Sequence, residues 1–336
     1  MDKLTDYIIL NNATLKDAYE KMNENEYQIV FVVDKDNKLL FAITDGDIRR
    51  HVLAKGTLEE SVMVLSKSCV TATSIYDAKK LCKEYKVVPI VNENNTIDIL
   101  VFRDHILPKR TIDIPVVIQA GGLGTRLYPY TKILPKPLIP IGDMPIIEKI
   151  IKRFCEFGCT KFYIIVNHKK EMIKAYFSEG KKYNIEFVDE LQPLGTGGGL
   201  ALLKGKLNQP FIFANCDTFL DCDFADLYDQ HLNSNSDVTI ISSQIKFQLP
   251  YGTLKIDENK KLEQFVEKPT FYFLSNVGYY VVNPNVVDMI PNNTKIHFTT
   301  ICEQLIDDKK VGVYEIREEE WHDMGEIDKL NKMLEE

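Results

Sequence analysis

The sequence predicts an α/β protein, in which a doubly wound sheet domain from residue 113 onward follows a small α+β module. After residue 113, apolar runs of strand length alternate with segments of helical periodicity, which is typical of a sheet flanked by helices. Residues 1–112 contain instead two similar hairpins of strands, each preceded by a helical segment. A chain of 336 residues is long enough for two or three domains. The expected domains are therefore 1–112 and 113–336.

The two hairpins within 1–112 belong to an internal duplication. The helical segment before each hairpin has one apolar face, with Leu15 and Ala18 on the first and Ala78 and Leu81 on the second. Each half is too small to bury both faces of its hairpin, so we expect flanking helices and a pairing of the two halves. The strands are predicted at 28–33 and 39–43 in the first half, and at 87–91 and 97–101 in the second.

Composition argues against several classes of function. With 49 acidic and 41 basic residues the chain has a net charge of -8, which disfavours a nucleic-acid partner. No apolar run reaches the length of a membrane span, and the first residues do not have the pattern of a secretory signal. Seven cysteines without a CxxC pair fit reduced thiols. We expect a cytoplasmic protein with no nucleic-acid partner and no membrane partner.

The most informative segment starts with the apolar strand 116–118 and breaks at a glycine-rich loop. Glycines directly after a strand let backbone N–H groups approach a phosphate closely. Two cations follow, Arg126 at the end of the loop and Lys136 between two prolines. A P-loop is excluded because no Gly-Lys-Ser/Thr follows, and a dinucleotide fingerprint because Leu127 stands where its third glycine belongs. A purely structural turn would explain the glycines but not the two cations.

This segment, with its GGLGTRL and PKP motifs, resembles the signature of the sugar-1-phosphate nucleotidyltransferases. Further motifs that resemble those of the family follow in order along the chain. They are LGTGG at 194–198, with Gly197 in place of an alanine, Glu-Lys-Pro at 267–269 and Trp-x-Asp-x-Gly at 321–325. The resemblance implies a Rossmann-like nucleotidyltransferase domain. Such a domain joins a nucleoside monophosphate to a sugar 1-phosphate and releases pyrophosphate.

The resemblance also implies a role for each matching residue. The implied catalytic residues are Arg126, Lys136 and Lys268. The implied nucleotide-binding residues are Ala120, Gly121, Gly122, Gly124, Thr125, Glu190, Gly195 and Thr196. The sugar phosphate would be bound by Glu267, Lys268 and Asn276, and Mg²⁺ by Asp217 and Asp323. Because two anions must meet in this reaction, positive charge and in-line positioning matter more than a general base. Mg²⁺ prefers oxygen ligands, and Asp217 follows an apolar strand at 211–214, where ligands bind beyond a parallel sheet.

Glu190 indicates which base is bound. The resemblance places it where family members that use thymidine or uridine nucleotides carry a glutamine. Guanine presents two adjacent donors, N1–H and N2–H, which match the two acceptor oxygens of a carboxylate. A carboxylate cannot donate to a pyrimidine carbonyl, so GTP is the expected nucleotide. The alternative interpretation is that Glu190 faces solvent while Gln192 contacts the base.

The duplicated module resembles a tandem CBS, or Bateman, module, which is a regulatory unit that often binds adenine nucleotides between its copies. Thr44 and Asp47 match the Thr-x-x-Asp motif of that family. In the second copy Asp104 is kept, but Val101 stands where the threonine would be. The resemblance implies nucleotide contacts at Thr44, Asp47 and Asp104, with one competent half-site for an adenine nucleotide. The alternative is a module that serves only packing and dimerisation.

The complete arrangement resembles guanylyltransferases that make GDP-glucosamine for legionaminic acid, a bacterial surface sugar. We therefore expect an enzyme that uses GTP, glucosamine 1-phosphate and Mg²⁺, and that forms a homodimer or a higher homo-oligomer. Mannose-1-phosphate guanylyltransferases are the close alternative, and an inactive nucleotide-sensing protein is an alternative of another class. The joint presence of two cations in the loop, Asp217 and Lys268 favours an enzyme, because an inactive domain need not keep all four.

Overall fold

A computed structural model of the chain describes residues 3–178 and 182–325. These residues divide into two compact units. The first runs through Ile112 and also includes Arg153–Gly158 and Asp221–Ala225, and the second contains the other described residues. Two short segments from later in the chain thus group with the first unit. No described helix is long and apolar enough to cross a membrane.

The first half of the duplication forms a three-stranded sheet with two helices. Its elements are β1 (Ile8–Leu10), α1 (Leu15–Asn23), β2 (Ile29–Val33), β3 (Leu39–Thr44) and α2 (Asp45–Leu53). Strand β1 runs parallel to β2, and β2 pairs with β3 in antiparallel register. Val30 and Ile43, which are register partners, are fully buried in one cluster with Leu15 and Met22 of α1. The predicted apolar face of the first helix therefore packs on its own hairpin.

The second half repeats this order but ends differently. Its elements are α3 (Ile75–Leu81), β4 (Val87–Val91), β5 (Ile97–Phe102) and β6 (Ile106–Pro108). A parallel bridge between Ala72 and Ile90 stands where the first half has β1. At the end, β6 pairs with β5 where the first half has helix α2. The expectation of helices on both sides of this hairpin is wrong, because the chain turns tightly at 102–105 and Pro108 cannot sit inside a helix.

The elements after Ile112 are, in chain order, β7 (Val116–Gln119), β8 (Pro140–Ile141), β9 (Met144–Pro145), α4 (Ile146–Glu156), β10 (Lys161–Val166), α5 (Lys170–Ser178), β11 (Asn184–Asp189), α6 (Gly195–Gly198), β12 (Phe211–Asn215), β13 (Thr218–Leu220), α7 (Phe224–Asn233), β14 (Val238–Gln248), β15 (Thr253–Ile256), β16 (Leu262–Val266), β17 (Thr270–Val282), α8 (Pro284–Met289), α9 (Phe298–Ile306), β18 (Val311–Ile316) and β19 (Trp321–Asp323). Short 3-10 turns lie between several of them.

Seven of these strands form the central sheet of the second unit, in the order β11-β10-β7-β12-β17-β14-β18. Strand β17 is antiparallel to both of its neighbours, and the other six run in one direction. The predicted α/β fold class is confirmed, although the sheet is mixed rather than wholly parallel. Strand β7 lies inside the sheet, and its apolar residues Val116, Val117 and Ile118 are fully buried.

Candidate active site

Between β7 and β12 there is a change in the side of the sheet to which the next strand is added. From β7 the sheet continues through β10 to β11 on one side, and β12 then pairs with the other side of β7. Such a switch point leaves a crevice beyond the carboxyl ends of the two strands, where ligands bind. The two strands end at Gln119 and Asn215, which are register partners. The glycine-rich loop and Asp217 follow directly from these two ends.

The glycine-rich loop after β7 approaches Lys136 closely at Gly124. The φ of Gly124 is 67°, in the left-handed region that favours glycine. A Cβ at this position would lie 2.8 Å from Thr131 Cγ2 and 2.9 Å from Lys136 Cβ. The Thr131 hydroxyl donates to the Gly124 carbonyl oxygen over 3.0 Å and fixes the loop. By contrast, no described atom lies within 4 Å of a Cβ position at Gly122, so the backbone there is open to a ligand.

The two ends of the loop differ in exposure. Ala120 is buried, and its N–H donates to the Ile165 carbonyl oxygen over 2.9 Å, which continues the pairing of β7 with β10. Thr125 begins a 3-10 turn that runs to Leu127. Leu127 is buried, whereas the Arg126 side chain between them is exposed. The turn thus anchors the loop through its leucine and leaves the guanidinium accessible.

Lys136 and Arg126 both reach Asp217. Lys136 Nζ donates to Asp217 Oδ2 over 2.6 Å, and Arg126 Nη2 lies 3.5 Å from the same oxygen. Only 7% of Lys136 is exposed, and a lysine is this deeply buried almost only when it is paired. Prolines on both sides restrict the backbone at Lys136, so its direction is set locally. We call these three residues the Asp217 cluster.

Asp323, the second predicted metal ligand, lies beside the Asp217 cluster. Strand β13 pairs with β19, and the Met324 N–H donates to the Asp217 carbonyl oxygen over 2.8 Å. A Cβ at Gly325 would lie 2.9 Å from Asp323 Oδ1 and 3.4 Å from Asp217 Oδ2, so the two carboxylates border one small space. Among residues 3–178 and 182–325, no group of three or more metal-ligating side chains occurs. Two carboxylates suit Mg²⁺, which commonly takes one or two from a protein beside phosphate and water.

Glu190 is buried beside Gly121, at the start of the glycine-rich loop. Only 3% of it is exposed, which excludes the interpretation that Glu190 faces solvent, whereas Gln192 is exposed. The carboxylate lies between two glycines: a Cβ at Gly199 would lie 2.6 Å from Oε1, and a Cβ at Gly121 would lie 3.0 Å from Oε2. Burial raises the pKa of Glu190, and hydrogen bonds from Gln119 and from the Leu194 N–H partly oppose this effect.

Gln119 is a residue of this site that the sequence did not indicate. Its Nε2 donates to Glu190 Oε1 over 3.5 Å and to the Gly195 carbonyl oxygen over 3.3 Å. Because both partners are acceptors, the amide nitrogen must face them. Gln119 Oε1 is then buried without a hydrogen-bond donor among the described residues. The position at the end of β7 was visible in the sequence, but no sequence signal said that this side chain meets Glu190.

The LGTGG segment forms the short helix α6 and packs against the start of α9. Gly195 has a φ of 79°, and a Cβ there would lie 2.6 Å from the Ile296 carbonyl oxygen. The Thr196 hydroxyl accepts from the Phe298 N–H over 3.1 Å, at the first residue of α9. Both residues are predicted nucleotide ligands. Gly195 is linked to Glu190 because Gln119 donates to both of them, whereas Thr196 bonds to the start of α9.

The residues predicted to bind the sugar phosphate do not join the Asp217 cluster. Glu267 and Lys268 lie exposed between β16 and β17, and neither forms an ion pair with the cluster among the described residues. Asn276 lies on β17, where its Nδ2 donates to the Tyr280 hydroxyl over 2.7 Å and its Oδ1 accepts from the Gly278 N–H over 2.9 Å. The structure thus brings together the loop, two cations and two carboxylates, and among the described residues it shows no bond from the sugar-phosphate residues to the Asp217 cluster.

In the first unit, Thr44 and Asp47 bond to each other at the start of α2. The Thr44 N–H and hydroxyl donate to Asp47 Oδ2 over 2.9 and 2.7 Å. Burial opposes ionisation of Asp47, but hydrogen bonds from Lys67 and Thr44 lower its pKa to about 2. Asp104 instead accepts from the Tyr27 hydroxyl over 3.2 Å and bonds to His105 over 2.9 Å. Asp104 does not lie in the first turn of a helix as Asp47 does, since a strand follows it.

Two known families match parts of this chain. The nucleotidyl transferase family matches residues 115–336, about two thirds of the chain. The chain belongs to the nucleotidyl transferase family. Residues 5–54 match the CBS domain, so this nucleotidyl transferase carries an N-terminal CBS domain in the first half of the duplication.

Two curated relatives show how the similarity is distributed. The mannose-1-phosphate guanyltransferase of Schizosaccharomyces pombe is 34% identical over 221 residues, which cover 62% of this chain and 60% of that protein. The mannose-1-phosphate guanylyltransferase of Mycobacterium tuberculosis is 32% identical over 224 residues, which cover 64% and 62%. The chain therefore spans about three fifths of the length of these relatives.

Two solved structures are similar to part of this chain. HddC from Yersinia pseudotuberculosis, complexed with GMP-PN, is 25% identical with a TM-score of 0.50, over 66% of this chain and 98% of that one. A putative glucose-1-phosphate thymidylyltransferase from Bacillus anthracis, in complex with a sucrose, is 19% identical with a TM-score of 0.53, over 67% and 94%. At 19% identity the second likeness concerns the fold alone.

Proposed function

We propose that the chain transfers GMP from GTP to a sugar 1-phosphate and releases pyrophosphate. The Asp217 cluster carries this proposal, because two cations and a carboxylate meet at the switch point of the sheet. The neighbouring glycine-rich loop has a backbone open to phosphate at Gly122. The names of the curated relatives, which are mannose-1-phosphate guanyltransferases, support transfer of a guanylyl group. The complex of HddC with GMP-PN is consistent with a guanine nucleotide in this fold.

In this reaction, an oxygen of the sugar phosphate attacks the α-phosphorus of GTP in line with the bond to pyrophosphate, which leaves. A phosphate monoester is already ionised near neutral pH, so the site needs positive charge rather than a base. Lys136 neutralises charge on the α-phosphate, and the exposed Arg126 binds the pyrophosphate portion. Lys268 binds the sugar phosphate after its exposed turn moves towards the cluster.

Asp217 and Asp323 are the residues that would hold Mg²⁺, which when bound supplies positive charge to the phosphate oxygens. Their oxygens border the same small space beside Gly325, which fits a cation with few protein ligands. Asp217 Oδ2 accepts a hydrogen bond from Lys136 in this structure. Lys136 must therefore leave this oxygen when the triphosphate arrives, and its ammonium then turns to the phosphate.

Glu190 supports guanine as the base. Its Oε1 accepts from Gln119, and its Oε2 lies towards Gly121 of the loop that would bind the triphosphate. An ionised carboxylate at this place offers an acceptor to guanine N1–H or N2–H and offers no donor to uracil or thymine.

For the sugar, we propose glucosamine 1-phosphate, in a pathway that leads to legionaminic acid. This part rests on the resemblance of the complete arrangement, in which a duplicated CBS module precedes the transferase. Mannose 1-phosphate is the second candidate, because the names of the curated relatives favour it.

The proposed reaction is tested by measuring pyrophosphate release from each pair of substrates. Five nucleoside triphosphates are crossed with the 1-phosphates of glucosamine, mannose, glucose and N-acetylglucosamine, in the presence of Mg²⁺. We expect the highest kcat/KM for GTP with glucosamine 1-phosphate. A preference for mannose 1-phosphate would select the second candidate, and no release from any pair would favour the inactive sensor.

We also propose that the CBS module binds an adenine nucleotide at Thr44 and Asp47 and alters the activity of the transferase. The support is the Thr-x-x-Asp match and the nearby cation Lys67, which bonds to Asp47 over 2.5 Å and could pair with a phosphate. Allosteric control requires that the nucleotide bind one of two states more tightly. Titration of the full chain with AMP, ADP and ATP, with activity measured in parallel, tests this proposal.

A further inference from the structure

The turn between β10 and α5, residues 167–169, places a lysine ammonium among three carbonyl oxygens. Lys169 Nζ donates to the carbonyl oxygens of Thr131, Lys132 and Ile133 over 2.9, 2.6 and 3.1 Å. An ammonium has three donors and no acceptor. These three consecutive carbonyl oxygens therefore use its whole hydrogen-bonding capacity.

The backbone of Lys169 indicates that its side chain explains the residue type. Its φ is 52°, in the left-handed region where glycine and asparagine are preferred and a lysine is disfavoured. The Lys169 carbonyl oxygen accepts from the Met172 N–H in the first turn of α5 over 3.1 Å, but any residue supplies that acceptor. Unusual backbone conformations persist where their surroundings hold them, often at functional sites. The contacts of the ammonium are such surroundings.

The segment that Lys169 contacts, residues 130–133, has little apolar packing of its own. Tyr130 is 52% exposed and Ile133 is 76% exposed, whereas Thr131 between them is buried. Residues 130–132 form a 3-10 turn, and a cation is favourable at the carbonyl end of such a turn. With few apolar contacts, the conformation of this segment depends more on its polar contacts. We call residues 130–133 the 130–133 turn.

The 130–133 turn connects Lys169 with the glycine-rich loop and with Lys136. The Thr131 carbonyl oxygen accepts from Lys169, and the Thr131 hydroxyl donates to the Gly124 carbonyl oxygen over 3.0 Å. Gly124 in turn lies against both Thr131 and Lys136, so closely that a Cβ would not fit. A displacement of the 130–133 turn would therefore also displace Gly124 and the stem of Lys136.

The same three-residue segment contacts the residues expected to bind the base. Asn167 Nδ2 donates to the Glu190 carbonyl oxygen over 3.0 Å. A Cβ at Gly121 would lie 3.2 Å from Asn167 Cβ. Residues 167–169 thus contact the base side of the site through Asn167 and the phosphate side through Lys169.

We propose that Lys169 is a positioning residue, whose ammonium holds the glycine-rich loop and Lys136 in the conformation that binds the triphosphate. Lys169 acts through Thr131 and Gly124 and does not itself contact the reacting groups. This inference rests on the proposed reaction with GTP, because it concerns the same site. Its test therefore includes one measurement without substrates.

Steady-state kinetics of Lys169→Met in the full chain are the first test, since this change removes the charge and the three donors and keeps the length. A loop that is in its binding conformation for only part of the time lowers the apparent affinity by that fraction. We expect the KM for GTP to rise about tenfold or more, with kcat within about threefold of the unmodified value. The matched control is Lys170→Met, which changes the neighbouring lysine, 3.6 Å from an oxygen of Asp189, and should alter neither constant.

Chemical rescue separates this role from a general structural one. Lys169→Gly suits the left-handed backbone and leaves the three carbonyl oxygens without their ammonium. Added n-butylammonium has the atoms that this variant lacks and should lower its KM for GTP. Tetramethylammonium has the same charge but no N–H donor and should not lower it.

Hydrogen exchange without substrates tests the position of the loop directly. The N–H groups of Leu127, Lys132 and Leu134 bond to carbonyl oxygens within the loop, and they should exchange about tenfold faster in Lys169→Met than in Lys170→Met. Unchanged exchange, a loss confined to kcat, or equal rescue by both amines would overturn the proposal. An unmodified chain that does not use GTP would overturn the proposed reaction instead, and the exchange rates would then decide the role of Lys169.

Discussion

Glu190→Gln is the substitution that tests most directly how this nucleotidyl transferase would select its base. The change keeps the shape of the side chain and replaces one acceptor oxygen with an NH₂ donor. Gln119 Nε2 faces Oε1 of Glu190, so the new amide oxygen must take that position to accept from it. The new NH₂ group then occupies the position of Oε2, beside Gly121. The amide N–H of the variant would then face an N–H of guanine, at the position where Glu190 has an acceptor oxygen.

The size of the effect follows from the number of hydrogen bonds involved. One hydrogen bond to guanine is lost and one buried donor is left without a partner, which costs about 1–3 kcal/mol. This corresponds to a decrease of roughly 5- to 150-fold in kcat/KM for GTP. UTP should be unaffected or improved, because the amide can donate to a uracil carbonyl. ITP, which lacks the N2 amine, should decline as much as GTP if Glu190 accepts from N1–H, and should not decline if it accepts from N2–H.

The assay is steady-state pyrophosphate release with GTP, ITP and UTP, on Glu190→Gln and on Glu186→Gln as a control. Glu186 lies on β11, the strand that Glu190 directly follows, and it is paired with Lys206. Because burial raises the pKa of Glu190, kcat/KM for GTP in the unmodified chain should fall as the pH drops towards that pKa, and the variant should lose this dependence. Because folding raises the pKa of Glu190, its ionised form destabilises the folded state as the pH rises through that pKa. Glu190→Gln should therefore not lower the melting temperature at neutral pH. An unchanged ratio of GTP to UTP would refute the assignment of Glu190.

The other predictions concern the metal, the phosphates and the CBS module. Asp217→Asn should lower kcat about a hundredfold or more in a folded protein, and near-normal turnover at saturating Mg²⁺ would contradict its role as a ligand. Lys136→Ala should also abolish most turnover, since a buried cation that faces the phosphate is lost. Gly325→Ala places a Cβ 2.9 Å from Asp323 Oδ1 and should raise the Mg²⁺ concentration needed for half-maximal activity. Asp47→Asn should weaken AMP binding measured by calorimetry on the full chain, and an unmodified chain that gives no heat with AMP, ADP or ATP would leave the module as packing only.

The sequence predicted those parts of the site that are encoded by local motifs. The loop requires a left-handed backbone at Gly124, which favours glycine, and the backbone at Lys136 is restricted by the prolines on both sides. Both features are therefore visible as local sequence motifs. Asp217 was recognisable because it follows an apolar strand, and strand ends are where ligands meet a sheet of this kind. These features depend on short stretches of chain, which is why a single sequence was sufficient to find them.

The features that were missed depend on which elements meet in three dimensions. Gln119 acquires its place only because β7 and the segment after β11 bring it to Glu190, and neither residue lies in a motif with the other. The antiparallel direction of β17 inside the sheet follows from a hairpin-like return of the chain rather than from the composition of the strand. The end of the second CBS-like half became a strand because a tight turn precedes Pro108, whereas Asp104 suggested the same ending as Asp47.

The charges of the Asp217 cluster bear on how Lys268 would reach the bound substrates. Asp217 is paired with both Lys136 and Arg126, and the three side chains together carry one net positive charge. Lys268, the third implied cation, lies exposed between β16 and β17. A further positive group held permanently beside Lys136 would be repelled unless an anion separated them. Lys268 would thus approach the cluster only when the triphosphate is bound.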